Sequence, residues 1–242
     1  MPTVLRAAPL IAALVLVVSG CVSTITGHPR AGGDRGPLSW GPDLTGRQLA
    51  GVLLDAARIN QIMAGTAIVV YKSYDQLPGG EGDQYSNPTC AGAVFNTIEV
   101  TYHRSGYLAV RGSQLSESGA NFKHYVDEGV VSFPGGPDAR RFLSTAQDVW
   151  RRCAGKHVVY TTSDGKATTW TARAPVTSGG VTTAVVDKEA GDGYTCEHGI
   201  TAKSNVVIDV SACSYTLLDQ GAEQGGAVAS TIVNAIADKF PA

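Results

Sequence analysis

Residues 194–215 read YTCEHGITAKSNVVIDVSACSY. Two runs rich in β-branched residues, Tyr194–Lys203 and Val206–Tyr215, flank Ser204-Asn205, the pattern of two strands around a two-residue turn. With Lys203 and Val206 closing the turn as a hydrogen-bonded pair, stepping outward sets Cys196 opposite Cys213. That position is a non-hydrogen-bonded pair, where Cα atoms stand about 4.5 Å apart, within reach of a disulfide. Ser-Asn is not the preferred turn pair, and a bulge at Gly199 would shift this register. The hairpin predicts antiparallel sheet and a covalent staple between Cys196 and Cys213, and it leaves Cys90 and Cys153 for each other.

The same register sets His198 opposite Ser211, with Asp209 two residues away on the same face. A catalytic triad needs these three types linked in order, beside an oxyanion hole and a cleft. Strand-centre side chains rarely supply that, so the cluster Ser211, His198 and Asp209 reads as a structural hydrogen-bonded group, and no catalytic residue is assigned. Cys196-Glu197-His198 is a ligand-like triplet. No second close Cys or His pair accompanies it, and exported thiols in even number oxidise, so neither a metal nor a cofactor is expected.

Working back along the chain, Asp164-Gly165 is a strong turn between Val158–Thr162 and Thr168–Ala172, and Gly179-Gly180 another between Ala174–Thr177 and Val181–Val186. Earlier strand candidates are Ala67–Tyr71, Tyr107–Arg111 and His124–Phe133. Leu49, Leu53, Ala56 and Met63 predict a helix over Thr45–Ala64. Pro88, at a first-turn position, precedes Val94, Ile98 and Tyr102 and predicts a second helix ending at Ser105-Gly106. Gly135-Gly136-Pro137-Asp138 opens a third, carrying Phe142, Ala146, Val149, Trp150 and Cys153. A fourth carries Val228, Ile232, Ile236 and Phe240. Cys90 and Cys153 then staple the second and third helices. About four helices packed with an antiparallel meander define an α+β fold. Leu77–Tyr85 reads as a long surface loop.

The chain opens with Arg6, an apolar run Ala7–Val18, and Val18-Ser19-Gly20-Cys21. The run is shorter than the roughly 20 residues of a membrane-spanning helix and fits a secretory signal. The four residues at its end resemble a bacterial lipobox, which predicts a signal peptide over residues 1–20 and lipidation at Cys21. Residues 21–43 follow as a Gly/Pro-rich tether, with a reach on the order of 25 Å as a flexible coil. Trp40 within it is expected to dock on the folded domain, residues 44–242. This reading puts the domain on the extracytoplasmic face of the cell membrane. Of 242 residues 43% are hydrophobic and 17% charged, and the net charge is -2, a balance that carries no basic footprint for nucleic acid.

The chain carries no G-x-S-x-G, H-E-x-x-H, P-loop or dinucleotide fingerprint. Ser163-Asp164-Gly165-Lys166 matches S-x-x-K only in letters, because Asp-Gly makes a turn where the acylating serine must open a helix. Asp187, Glu189 and Asp192 read as a solvated loop. Arg140-Arg141 and Arg151-Arg152 read as the solvent face of the third helix, with an anion grip as the alternative.

Pro88-Thr89-Cys90-Ala91-Gly92 opening a helix, Trp150 three residues before Cys153, and the close pair Cys196 and Cys213 together resemble the mycobacterial lipoproteins that carry a PknH-like extracellular domain. The resemblance spans Leu44 to Phe240. It implies a single α+β domain with a cleft, disulfides joining the first cysteine to the second and the third to the fourth, and sensing or binding outside the cell. An unidentified small ligand or envelope component, a signalling protein partner, and the membrane through the acyl group are the partners expected. An envelope lipid carrier or a cell-wall hydrolase is the alternative function. A carrier requires a large dry cavity, and a hydrolase requires Ser211, His198 and Asp209 linked within a cleft.

Overall fold

The computed structural model describes residues 42–79, 82–217 and 227–241. The predicted signal peptide, Cys21 and the tether up to residue 41, Trp40 included, lie outside the described residues. Ten strands form one antiparallel sheet: β1 Val69–Tyr74, β2 Gln84–Tyr85, β3 Ala109–Ser116, β4 His124–Ser132, β5 His157–Thr161, β6 Ala167–Ala172, β7 Val176–Ser178, β8 Val181–Lys188, β9 Thr195–Lys203 and β10 Val206–Ser214. Their order is β1-β3-β4-β10-β9-β8-β6-β5-β2, with β7 paired to β8. The later strands are the expected meander. The early hairpin β3–β4 joins it through β10, so two locally formed blocks fuse into one sheet. Within the predicted loop Leu77–Tyr85, Gln84 and Tyr85 pair with β5 as the far edge.

The β9–β10 register is unbroken. Lys203 pairs with Val206 and Cys196 with Cys213, and Gly199 opposes Val210 without a bulge. A Cβ at Gly199 would stand 3.1 Å from the Cβ of Ala229, so the glycine admits the last helix close to the strand. Asn205 explains the unusual turn pair. Its side chain accepts from the Leu44 N–H at 2.8 Å and donates to the carbonyls of Leu44 and Phe133. Ser204 donates to the Pro42 carbonyl at 3.0 Å. The turn thus holds the start of the folded domain.

Alternation of side chains along each strand gives the sheet two buried faces. One packs Leu115, Val126, Val130, Ile208 and Val210 against Leu49, Ile59, Ile232 and Ile236. The other packs Val110, Val131, Val186, Ile200 and Val207 against Tyr102, Phe133 and Trp150. The helices are α1 Leu49–Val52, α2 Ala56–Met63, α3 Pro88–Val94, α4 Glu99–Tyr102, α5 Gly136–Cys153 and α6 Ala227–Ala237. Among the described residues there are therefore six helical segments where four were predicted, and no helix long and apolar enough to cross a membrane.

Both extra breaks have the same cause. The run over Thr45–Ala64 breaks at Leu53 and restarts at Asp55, whose carboxylate caps α2 by accepting from the Arg58 N–H at 2.8 Å. The run from Pro88 breaks at Phe95 to Ile98, where Thr97 takes a left-handed φ of 49°. At each break a buried carboxylate on the sheet accepts a backbone N–H: Glu128 takes Leu54 and Asp209 takes Thr97. A third, Glu197, accepts the N–H groups of Val228 and Ala229 at the start of α6. These acids sit on β4, β10 and β9, three adjacent inner strands, and fix three helix boundaries to them.

Candidate functional site

Cys90 is joined to Cys153 with Cα atoms 5.4 Å apart, and Cys196 to Cys213 at 3.9 Å. The first bond ties α3 to α5 and the second crosses the hairpin. His198, Asp209 and Ser211 share one face, but the structure links only two of them. His198 Nε2 lies 2.6 Å from Asp209 Oδ1, while Ser211 Oγ lies 3.8 Å from Cys213 Sγ. His198 and Asp209 are 0% and 2% exposed, and Trp150 covers the imidazole with ring centroids 4.2 Å apart. Asp209 Oδ2 also accepts from the Tyr102 hydroxyl at 2.8 Å. A saturated carboxylate bonded to an imidazole that a tryptophan covers is a packing unit.

The network continues to Asp127, whose carboxylate accepts from Tyr74, Gln114 and Tyr125. Asn96 bridges the two acids by donating to the carbonyls of Asp127 and Asp209. Burial pushes the Asp127 carboxyl above its usual range, although four side-chain hydrogen bonds oppose this. Burial likewise drives the Tyr74, Tyr102 and Tyr125 hydroxyls well up, so they remain donors.

The other predicted features resolve into surface chemistry. Arg141 pairs with Asp138 and Arg151 with Asp148 on the exposed side of α5. Asp164 pairs with Lys166 in the β5–β6 turn. Asp187 takes a two-point bond from Arg173 at 2.8 and 2.9 Å. Glu197 and His198 of the ligand-like triplet point to opposite faces, and Cys196 is oxidised. Among the described residues no cluster has the composition of a metal site.

Sequence reasoning expected a cleft but named none of its residues; one lies on the α6 side of the sheet. It has a volume of about 560 Å³ and is lined by Leu53, Asp55, Ser73, Asp75, Arg111, Ser113 and Lys239, among others. Ser113 pairs across the strands with Glu128, which is buried behind the lining. Glu128 is 0% exposed and receives the Leu54 N–H at 3.1 Å on both oxygens. Burial raises its carboxyl to about 8, against the hydrogen bond from Leu54 and the charge of Lys239. Lys239 donates to the Leu53 carbonyl and so clamps the same junction from outside. A second hollow of about 350 Å³ adjoins through Leu54, Asp55 and Lys239 and adds Arg58 and Asp238. The lining presents cations and carboxylates in balance, Arg111 and Lys239 against Asp55 and Asp75. The one sequence signal was Asp127-Glu128, two acids inside an otherwise apolar strand.

The chain is thus a two-faced α+β sheet domain with helix boundaries fixed by buried acids and an open charged cleft. Residues 44–239 match the PknH-like extracellular domain, and the chain belongs to that family. It is 31% identical over 224 residues to the serine/threonine-protein kinase PknH of Mycobacterium bovis, covering 92% of this chain and 35% of the kinase. It is 33% identical over 190 residues to PknH of Mycobacterium tuberculosis, covering 78% of this chain and 29% of the kinase. The chain thus spans about a third of the length of these kinases. The crystal structure of the extracellular domain of PknH from Mycobacterium tuberculosis superposes with a TM-score of 0.74 at 30% identity, covering 82% of this chain and 97% of that one. The family matched is an extracellular domain, consistent with an extracytoplasmic sensor.

Proposed function

We propose that the protein is a lipid-anchored extracytoplasmic binding module that takes a small polar ligand in the cleft between the α1–α2 junction and β3. Acylation at Cys21 would hold it at the outer face of the membrane, and residues 21–43 would lift the domain away from the lipid. The observation that carries the reading is the cleft itself, lined by Arg111, Lys239, Asp55 and Asp75. Convergent polar groups around an open hollow suit a charged or zwitterionic molecule better than an acyl chain. The sealed pair His198–Asp209, with Ser211 turned toward a disulfide, speaks against hydrolysis at that cluster.

Native mass spectrometry of the purified chain after incubation with a water-soluble envelope extract tests the cleft. A mass adduct is expected that disappears in Ser113→Trp, where an indole fills the hollow. An adduct retained in that variant, or none in the unaltered chain, would remove the reading. The anchor has its own test: Cys21→Ala should release the protein from the membrane fraction.

A further inference from the structure

We infer a second binding site, for a pyranose oligosaccharide, in the groove beyond the open end of the β9–β10 hairpin. Its volume is about 760 Å³, and Phe122, Tyr194, Tyr215, Asn121, Lys123 and Asp192 are among the residues that line it. It lies past the Ser116 end of β3, since the adjoining hollow that shares Asn121 and Lys123 with it reaches Glu117, whereas the charged cleft contains Arg111 to Ser113 from the middle of the strand.

The two ends of the hairpin place Tyr194 and Tyr215 side by side, just outside the Cys196–Cys213 bond. Their rings meet edge to face, with centroids 5.0 Å apart at 63°. Tyr194 is thereby held, while Tyr215 remains 52% exposed. Phe122 is 37% exposed and leans on Tyr125 at 6.4 Å. Exposed aromatic rings anchored on half-buried ones, here Tyr194 and Tyr125, give flat apolar surface at small entropic cost.

Around them stand an amide, an ammonium and a carboxylate, all exposed: Asn121, Lys123 and Asp192. A pyranose ring has this same composition reversed. One face carries C–H groups that lie on an aromatic ring, and the rim carries hydroxyls that take hydrogen bonds from amides and charged groups. A proline-rich peptide would use the rings and offer carbonyls to Asn121 and Lys123, but its prolines have no N–H for the Asp192 carboxylate, whereas sugar hydroxyls both accept and donate. The adjoining hollow of about 340 Å³, continuous through Asn121 and Lys123, gives room for more than one sugar unit.

Saturation-transfer NMR on the detergent-solubilised full chain tests this with four probes: tetramers of N-acetylglucosamine, glucose, mannose and galactose. At least one should receive saturation at its ring C–H protons. Tyr215→Ala should weaken that binding roughly tenfold, while Tyr215→Phe, which keeps the ring, should retain it. Ser113→Trp, which blocks the first cleft, should leave it unchanged, so the two sites fail separately. Transfer to none of the four, transfer unaffected by the double variant Phe122→Ala, Tyr215→Ala, or transfer to a proline-rich decapeptide in their place would overturn the assignment.

Discussion

Gly112 faces Gly129 directly across the β3–β4 pair. Side chains are absent from both strands at this one level, and two others lie across the notch. A Cβ at Gly112 would collide with the Tyr74 ring, and one at Gly129 with Thr97. Tyr74 and Thr97 lead to Asp127 and Asp209, so the glycine pair is what lets the buried network reach its acids. Gly112→Ala and Gly129→Ala should each destabilise the fold by about 3 kcal/mol, the upper part of the usual overpacking range. Equilibrium urea unfolding measures this. A loss below half a kcal/mol at both positions would show that the notch is not needed.

Glu128 makes stability depend on pH in a direction opposite to that of a surface carboxylate. Its ordinary value of 4.5 is raised to about 8 in the fold, so the folded state binds the extra proton. Its contribution is fully present below about 4.5 and is lost as pH rises through about 8, at up to about 1.4 kcal/mol per pH unit. Glu128→Gln keeps an acceptor for Leu54 and removes the titration. Unfolding curves from pH 5 to 8 should show the variant gaining on the unaltered chain toward pH 8. Parallel curves would contradict the burial argument. Glu117 has the reverse sign. Burial pushes its carboxyl up, but bonds from the His124 ring and backbone outweigh this and lower it to about 2, so its contribution is lost as pH falls from 4.5 toward 2.

His198 and Asp209 are predicted to matter for folding and Ser211 is not. Breaking a buried pair leaves one charged group without its partner, so His198→Ala should cost about 3–5 kcal/mol. Ser211→Ala should stay within about 0.5–1 kcal/mol and leave ligand binding unchanged. Thermal unfolding of the two variants side by side decides it. Comparable losses, or a binding defect confined to Ser211→Ala, would restore a functional role to the serine.

The two disulfides close loops of different length, with sequence separations of 17 and 63. In the chain-entropy model they contribute about 3 and about 4 kcal/mol respectively. Paired substitution to alanine should therefore lower the urea midpoint more for Cys90 and Cys153 than for Cys196 and Cys213. The reverse order would show that the loss of contacts, rather than the loop length, governs the effect.

The hairpin was legible because a two-residue turn fixes every later pair, so Cys196 and Cys213 could be counted into position. The long amphipathic helix α5 was legible for a similar reason, since its period is local. The breaks at Leu53 and Phe95 were not. The apolar spacing of Leu49, Leu53 and Ala56, and of Val94, Ile98 and Tyr102, continues across both gaps. Only Glu128 and Asp209, 74 and 112 residues away from the N–H groups they accept, decide that the helices stop there. The residues of the charged cleft escaped notice because Leu54, Arg111 and Lys239 meet only after the sheet has closed. The triad-like cluster was placed correctly on one face, but side-chain direction, which register alone does not give, separated Ser211 from the other two.

Hydrogen–deuterium exchange of the full chain, with and without the envelope extract, is the most direct test of binding in the charged cleft. Protection is predicted at Ala50–Asp55 and Ser73–Asp75, two backbone segments that border the hollow. Unchanged exchange in both segments, with protection confined to other parts of the domain, would contradict the account.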